Sequence, residues 1–314
     1  MKIYAPKYYD KFKCIADRCK HSCCVGWEID VDEETLRRYE AVGGEFGERL
    51  RKNISKNAEI PHFITDDNDK CPFLNEFGLC DIITELGEDA LCEICDAHPR
   101  FRNFFSDRVE IGLGLCCEAA AELALSYTDK IVLTETDESD TGAEEASAEE
   151  IEFFAFRKRL LQIVQDRSVP IFERMARAEK ELSVSSASAG AEDIARLFAS
   201  LEYMSDDFGS KLYLAFMKNE NTLVREDWEI PLEQLAVYFI MRHTADGIYG
   251  GDLAERVAFC SLCVGAVYRV CIDRMIEEGL TFFEVLCDTA RIFSSEIEYS
   301  TENVDRILEF LSEL

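Results

Sequence analysis

Ten of the 14 cysteines lie before residue 120, and nothing else in the chain restricts its folding so tightly. They are Cys14, Cys19, Cys23, Cys24, Cys71, Cys80, Cys92, Cys95, Cys116 and Cys117. Four of them fall in "KFKCIADRCKHSCCVGWEIDVD" (11–32). Thiols packed this densely are disulfides, metal ligands, reactive groups or small core residues. Compartment separates these choices. The N-terminal "MKIYAPKYYD" lacks the apolar region of a secretory signal. The most apolar tract, "RVAFCSLCVGAVYRVCIDRM" (256–275), carries Arg256, Arg269 and Asp273 at helical intervals and reads as a buried helix, not a membrane span. A cytoplasmic location is therefore expected, and in a reducing compartment dense cysteines bind metal or react more often than they crosslink.

Spacing narrows the chemistry. Only Cys92-Glu93-Ile94-Cys95 has the CxxC interval of a zinc knuckle; Cys14, Cys19 and Cys23 are set wider. Successive side chains diverge, so Cys23 and Cys24 do not easily serve one ion. Two neighbouring sites, or one site with further cysteines behind it, fit this pattern. Thiolate is a soft ligand suited to zinc or to iron–sulfur clusters. Buried small residues and a redox switch remain open. Cys260, Cys263, Cys271 and Cys287 differ: Cys260 and Cys263 sit among Phe259, Leu262, Val264 and Val267 and read as core.

The chain is expected to be mainly α in three parts. Residues 1–128 form a cysteine-rich, metal-stapled domain of loops and short helices, with helical patterns at 32–42, 88–98 and 115–127. Asp32 is the expected N-cap of the first. "AVGGEFGERL" (41–50) reads as a turn. Residues 129–150, acidic and poor in bases, form a linker. Residues 151–314 repeat apolar positions at three- and four-residue steps and form an α-helical bundle, with Asp252, Thr281 and Thr301 as expected caps and "SVSSASAG" (183–190) as a flexible break. No Gly-rich loop follows a strand, so a Rossmann-type cofactor site is not expected. The net charge of −29 makes nucleic acid and membrane surfaces poor partners.

The N-terminal blocks resemble a known family. "Phe12-Lys13-Cys14-Ile15", Cys19, "Cys23-Cys24-Val25-Gly26-Trp27-Glu28-Ile29", "Cys71-Pro72-Phe73-Leu74-Asn75-Glu76", "Leu79-Cys80-Asp81-Ile82", "Leu86-Gly87-Glu88", Leu91, Cys95, "Pro99-Arg100" and the block Leu115, Cys116–Cys117, "Glu118-Ala119-Ala120" are similar to the flagellin lysine-N-methylases, the FliB family. They also look like the wider YkgJ-type cysteine-cluster proteins. The resemblance is close over 3–125 and faint at "RIFSSEIEYS" (291–300), which is similar to a closing Ser-Arg-x-x-Glu-His signature.

This resemblance implies a four-iron (4Fe-4S) cluster and methyl transfer from S-adenosylmethionine to lysine ε-amines of flagellin. It implies Cys14, Cys19, Cys23, Cys24, Cys71, Cys80, Cys95 and Cys116 as metal-binding residues. Cys92 and Cys117 stand where the pattern has a hydroxyl residue and a proline, His98 where it has Tyr, and Tyr299 and Ser300 near its closing His. Arg100, fixed after Pro99 and close to Cys95, is the candidate partner of the cofactor carboxylate; the bland alternative pairs it with one of the many acids. The rival to catalysis is a zinc- or cluster-binding interaction protein that uses metal only to fold. Of the other residues weighed, His21 reads as exposed, His62 has no assigned role, His243 suits a helix C-terminus, and Trp27 reads as the lid of a small core.

Overall fold

A computed structural model describes every residue except 57–59, 139–143, 184–185, 187–188, 206 and 219–223. Part of the acidic stretch at 129–150 and half of "SVSSASAG" thus lie outside the described residues. In chain order the elements are β1 (Lys2–Pro6), α1 (Glu33–Ala41), α2 (Gly44–Lys52), β2 (Ile54–Ser55), β3 (His62–Phe63), α3 (Asp81–Leu86), α4 (Glu93–Ala97), β4 (Arg100–Phe104), β5 (Arg108–Leu113), α5 (Glu118–Leu125) and β6 (Leu133–Glu138). The helical run follows: α6 (Ala148–Val164), α7 (Ile171–Lys180), α8 (Ala191–Ser200), α9 (Phe208–Met217), α10 (Glu229–His243), α11 (Gly247–Gly250), α12 (Leu253–Glu278), α13 (Phe282–Phe293) and α14 (Thr301–Ser312). The protein is mainly helical, as the periodicity predicts.

Two compact units emerge. One comprises Lys13–Arg100 and Cys117–Ala119; the other comprises Met1–Phe12, Phe101–Cys116 and Ala120–Leu314. The chain thus enters the cysteine unit after residue 12, leaves it after 100, and touches it again at 117–119.

The cysteine unit is built from short pieces around a small core of Ile29, Val31, Tyr39, Leu50, Phe63, Phe73 and Ile82. Asp32 caps α1 as expected, accepting from the Thr35 N–H at 2.9 Å. The "AVGGEFGERL" run turns only at its start. Gly44 takes φ +72° and α2 begins there. Inside α2, Gly47 backs onto the end of α1: a Cβ there would lie 2.0 Å from the Val42 carbonyl oxygen, so only glycine fits.

The other unit contains a sheet that the sequence did not announce. Its order is β4-β5-β1-β6, with β1 parallel to β5 and antiparallel to β6. The stretch expected as linker therefore carries an edge strand at Leu133–Glu138. Both β4 and β5 bury a polar residue. Asn103 is buried and donates to the Met241 carbonyl, while Phe104 is exposed. Glu110 is buried and its Oε1 accepts from Arg157 Nη2 at 2.5 Å.

The helices stack around α12, whose Val257, Phe259, Cys260, Cys263, Val264, Val267 and Cys271 are all buried. Cys260, Cys263 and Cys271 are core residues, as read from their neighbours. Phe259 meets the His243 ring at 5.0 Å, and Phe239 packs on Phe293 at 5.9 Å. Between α7 and α10, buried Arg174 bonds both Glu233 and Glu229. Caps are partly as expected. Thr281 forms a full capping box. Asp252 makes no side-chain cap and instead holds Arg256, and Ser300, not Thr301, caps α14.

Candidate functional site

In the cysteine unit the thiols fall into two groups. The larger comprises Cys24, Cys71, Cys80, Cys92 and Cys95, packed against or within the small core. Backbone ties assemble it. Cys71 N–H donates to the Cys24 carbonyl at 2.8 Å, Asp81 N–H to the Phe73 carbonyl, and Cys95 N–H to the Cys92 carbonyl at 3.0 Å. Cys80 and Cys92 stand at the N-cap positions of α3 and α4. There the N–H groups of Ile82 and Ile83 favour a Cys80 thiolate and the N–H of Cys95 favours a Cys92 thiolate.

The titration behaviour follows from this crowding. Burial, with the thiols of Cys24, Cys80 and Cys92 nearby, pushes Cys71 up to about 12, against the N–H of Phe73. Burial likewise raises Cys80, opposed by the N–H groups of Ile83 and Ile82. The Cys95 thiol hydrogen-bonds Cys92 and lowers it, and Cys95 is raised in turn. Cys23 does the same for Cys24, which Ser22 also helps to lower. Cys24 and Cys92 are thus lowered, each by a hydrogen bond from the neighbouring thiol.

The smaller group lies nearer the surface. Cys23 is raised by Cys24 and by burial, and also by Cys14 and Cys117. Cys19 lies 3.7 Å from Glu118 Oε2, which also accepts from the Lys20 N–H at 2.9 Å. Cys23 hydrogen-bonds its neighbour Cys24 and so links the two groups; the two adjacent side chains do not diverge as the sequence suggests.

The donor chemistry suits a soft metal: gathered thiols, with two of lowered pKa. The arrangement itself brings no three His, Cys, Asp or Glu side chains into position to hold a metal ion, among the described residues. Of the sequence candidates, Cys24, Cys71, Cys80 and Cys95 come together, Cys14, Cys19 and Cys23 form the second group, and Cys116 lies in the other unit. Cys92 and Cys117, set aside as departures from the family pattern, are found within the groups. The signal that finds them is the CxxC interval for one and the CC pair for the other.

Arg100 Nη1 donates to the carbonyls of Asp96 at 2.9 Å and His98 at 3.4 Å, at the end of α4. His98 Nε2 is buried with no hydrogen-bond partner among the described residues, and burial, with Arg100 nearby, lowers the ring's pKa to about 4. The His98 ring lies 6.4 Å from that of Trp27. Trp27 packs on the core, as expected of a lid, and donates to the Cys23 carbonyl at 2.6 Å. His21 is exposed. His62 pairs with Glu28 at 3.2 Å.

The helical unit holds a second polar constellation, which the sequence reading missed. A π-helical turn at Ser294–Glu298 swings Glu298 inward. Its carboxylate meets His243 Nε2 at 2.6 Å, accepts from the Tyr238 hydroxyl at 3.0 Å, and lies 3.4 Å from Arg242 Nε. Burial pushes the Glu298 carboxyl up, but Arg242 and His243 bring it below the ordinary value. His243 is lowered by burial, with Glu298 opposing. Its role is thus to pair with Glu298, not to face the helix dipole alone. Arg242 stacks 4.5 Å over the Tyr299 ring, whose hydroxyl is raised by burial and by Cys116. The faint closing signature thereby meets Cys116 and the Leu115 N–H, which donates to Tyr238 at 3.3 Å.

Comparison with known proteins gives these features a context. Over 141 residues, 42% of the chain, the sequence is 29% identical to the lysine-N-methylase of Salmonella typhimurium, covering 35% of that protein. A lysine-N-methylase of Salmonella choleraesuis matches at the same identity and coverage. The flagellar biosynthetic protein FliU of Salmonella muenchen is 29% identical over 141 residues, covering 82% of its length. The match thus spans about a third of the length of the lysine-N-methylases. No family model matches the chain, and no solved structure matches it. No described helix is long and apolar enough to cross a membrane.

Proposed function

From its relationship to the FliB family of lysine-N-methylases, we propose that this chain is a protein lysine N-methyltransferase that moves a methyl group from S-adenosylmethionine to lysine ε-amines of flagellin. The observation that carries the reading is the match to proteins named for that activity. The thiol grouping of Cys24, Cys71, Cys80, Cys92 and Cys95 supports a soft-metal cofactor, which we take to be an iron–sulfur cluster. Four of these five would hold it once their sulfurs, which are not set around one ion among the described residues, converge. When bound, such a cluster would supply iron for cysteine thiolates to ligate and would draw three separate chain segments together.

The chemistry demanded of the protein is modest. A lysine amine, with reference pKa near 10.4, must lose its proton before its lone pair attacks the sulfonium methyl carbon. The C–N bond forms as the C–S bond breaks, leaving S-adenosylhomocysteine and a proton to be removed. Arg100 is the proposed partner of the cofactor carboxylate, its planar fork suited to two-point recognition. The net charge of −29 attracts lysine-bearing partners over neutral or acidic ones.

The test is direct. Protein purified without oxygen is assayed with flagellin and methyl-labelled S-adenosylmethionine. The expected result is a brown protein, about four irons per cluster by the cluster's own composition, and label on flagellin lysines. A colourless, zinc-containing protein that transfers no label would instead make the chain an interaction module folded by metal. An Arg100→Ala protein with intact cluster absorbance but unchanged cofactor affinity would remove Arg100 from the site.

A further inference from the structure

We infer that the groove between α6 and the α11–α12 corner docks the lysine-bearing segment of the protein substrate; this rests on the methylase reading above. The groove encloses about 530 Å³. Phe153 and Phe156 of α6, with Ile248 and Leu253, give it an apolar floor. Glu149 and Glu152 stand at its mouth, three residues apart on one helix face. Both are exposed, and neither hydrogen-bonds or ion-pairs with a described residue.

The two acids are not equally explained by the fold. Glu149 lies in the first turn of α6, where the helix N-terminus favours a negative charge. Glu152 lies beyond it and gains nothing from that end. Arg159, the one base along the groove, leans 3.9 Å from Glu181 and stacks 5.7 Å over Phe156, away from the two carboxylates. What remains is an apolar trough ending in two unpaired carboxylates. A lysine side chain matches it, with methylenes against the rings and the ammonium between the acids. A neutral or acidic segment leaves both acids unpaired.

The walls are fixed before any partner arrives. Buried Glu150 accepts from the Ser106 N–H at 2.8 Å, the Ser147 N–H at 2.7 Å and the Tyr249 hydroxyl at 2.8 Å. One carboxylate thus pins the start of α6 to α11. A preformed groove loses little freedom on binding.

The probes are a short fluorescent amphipathic peptide with lysines flanking its apolar face, and the same peptide with glutamine in place of each lysine. Wild-type protein is expected to prefer the lysine peptide. A Glu149→Gln/Glu152→Gln variant is expected to lose that preference, weakening lysine-peptide binding about tenfold at low salt and less at high salt. Ile248→Ser is expected to weaken both peptides alike. Flagellin methylation is read separately, where the double variant raises KM and leaves kcat unchanged. A double variant that binds the lysine peptide as tightly as wild type, or a wild type indifferent between peptides, overturns the docking site. Intact binding preference with no methyl transfer supports the docking site and overturns only the methylase reading.

Discussion

The two units solve stability differently. The helical unit is held by mass: α12 alone is 26 residues long, and aromatic rings from α10, α12 and α13 interlock around it. It carries buried charges in pairs, Glu110 with Arg157, Glu233 with Arg174, Glu298 with His243 and Arg242. The cysteine unit has helices of five to nine residues and a core of a few side chains. Helices so short are not stable by themselves. Its remaining cohesion comes from backbone ties between distant segments and from crowded sulfur. Such a region gathers Cys71 and Cys92 within its core and Cys24, Cys80 and Cys95 against it.

That contrast can be broken first by chelation. Protein prepared without oxygen and then stripped of metal is expected to lose hydrogen-exchange protection across 13–100 while 120–314 keeps its own, because a structural metal is worth about 10 kcal/mol or more to a small domain. Protection that survives in 13–100 would mean that the small core suffices. The converse experiment strikes the helical unit. Phe259→Ala is expected to cost about 3–5 kcal/mol, read as a lower urea midpoint, with the exchange of 13–100 unchanged.

A third prediction separates the units by pH. His98 is held near pKa 4, below the ordinary 6.5 of an unfolded histidine. Between those values the unfolded chain binds a proton that the folded chain refuses, so stability is intact above about 6.5 and falls as pH drops towards 4. The loss is roughly 2–3 kcal/mol. His98→Gln is expected to flatten that limb, measured as the pH dependence of the urea midpoint against wild type; an unchanged limb would show that the ring is not held neutral. The smallest effect is local: Thr281→Ala removes the capping box of α13 and is expected to cost about 1 kcal/mol.

Much of the helical unit was legible because 3.6-residue periodicity survives wherever one helix face is buried. Asp32 and Thr281 were legible as caps because the chemistry is local. The sheet was not, and the residues explain why. Strand reading relies on apolar side chains pointing inward, yet β4 buries Asn103 and exposes Phe104, and β5 buries Glu110. A buried polar residue is acceptable only with a partner, and those partners, the Met241 carbonyl and Arg157, lie 138 and 47 residues away. The Glu298 constellation was hidden likewise, since a π-turn that redirects one carboxylate leaves no periodic trace. The cysteines were legible as a collection, while their division was not, because spacing says how near two sulfurs are along the chain and nothing of which loops return.

Asp32 has a reach beyond its own helix. One of its oxygens closes α1, and the other accepts the first N–H of α4, contributed by Glu93 at 2.9 Å. Cys92 is the neighbour of that N–H. A single anionic group therefore acts as a rivet joining two helices 61 residues apart in sequence, and the bearing of the Cys92 sulfur is inherited from it. Whatever those thiols grip, the accuracy of the grip is decided in part by a residue that never touches it.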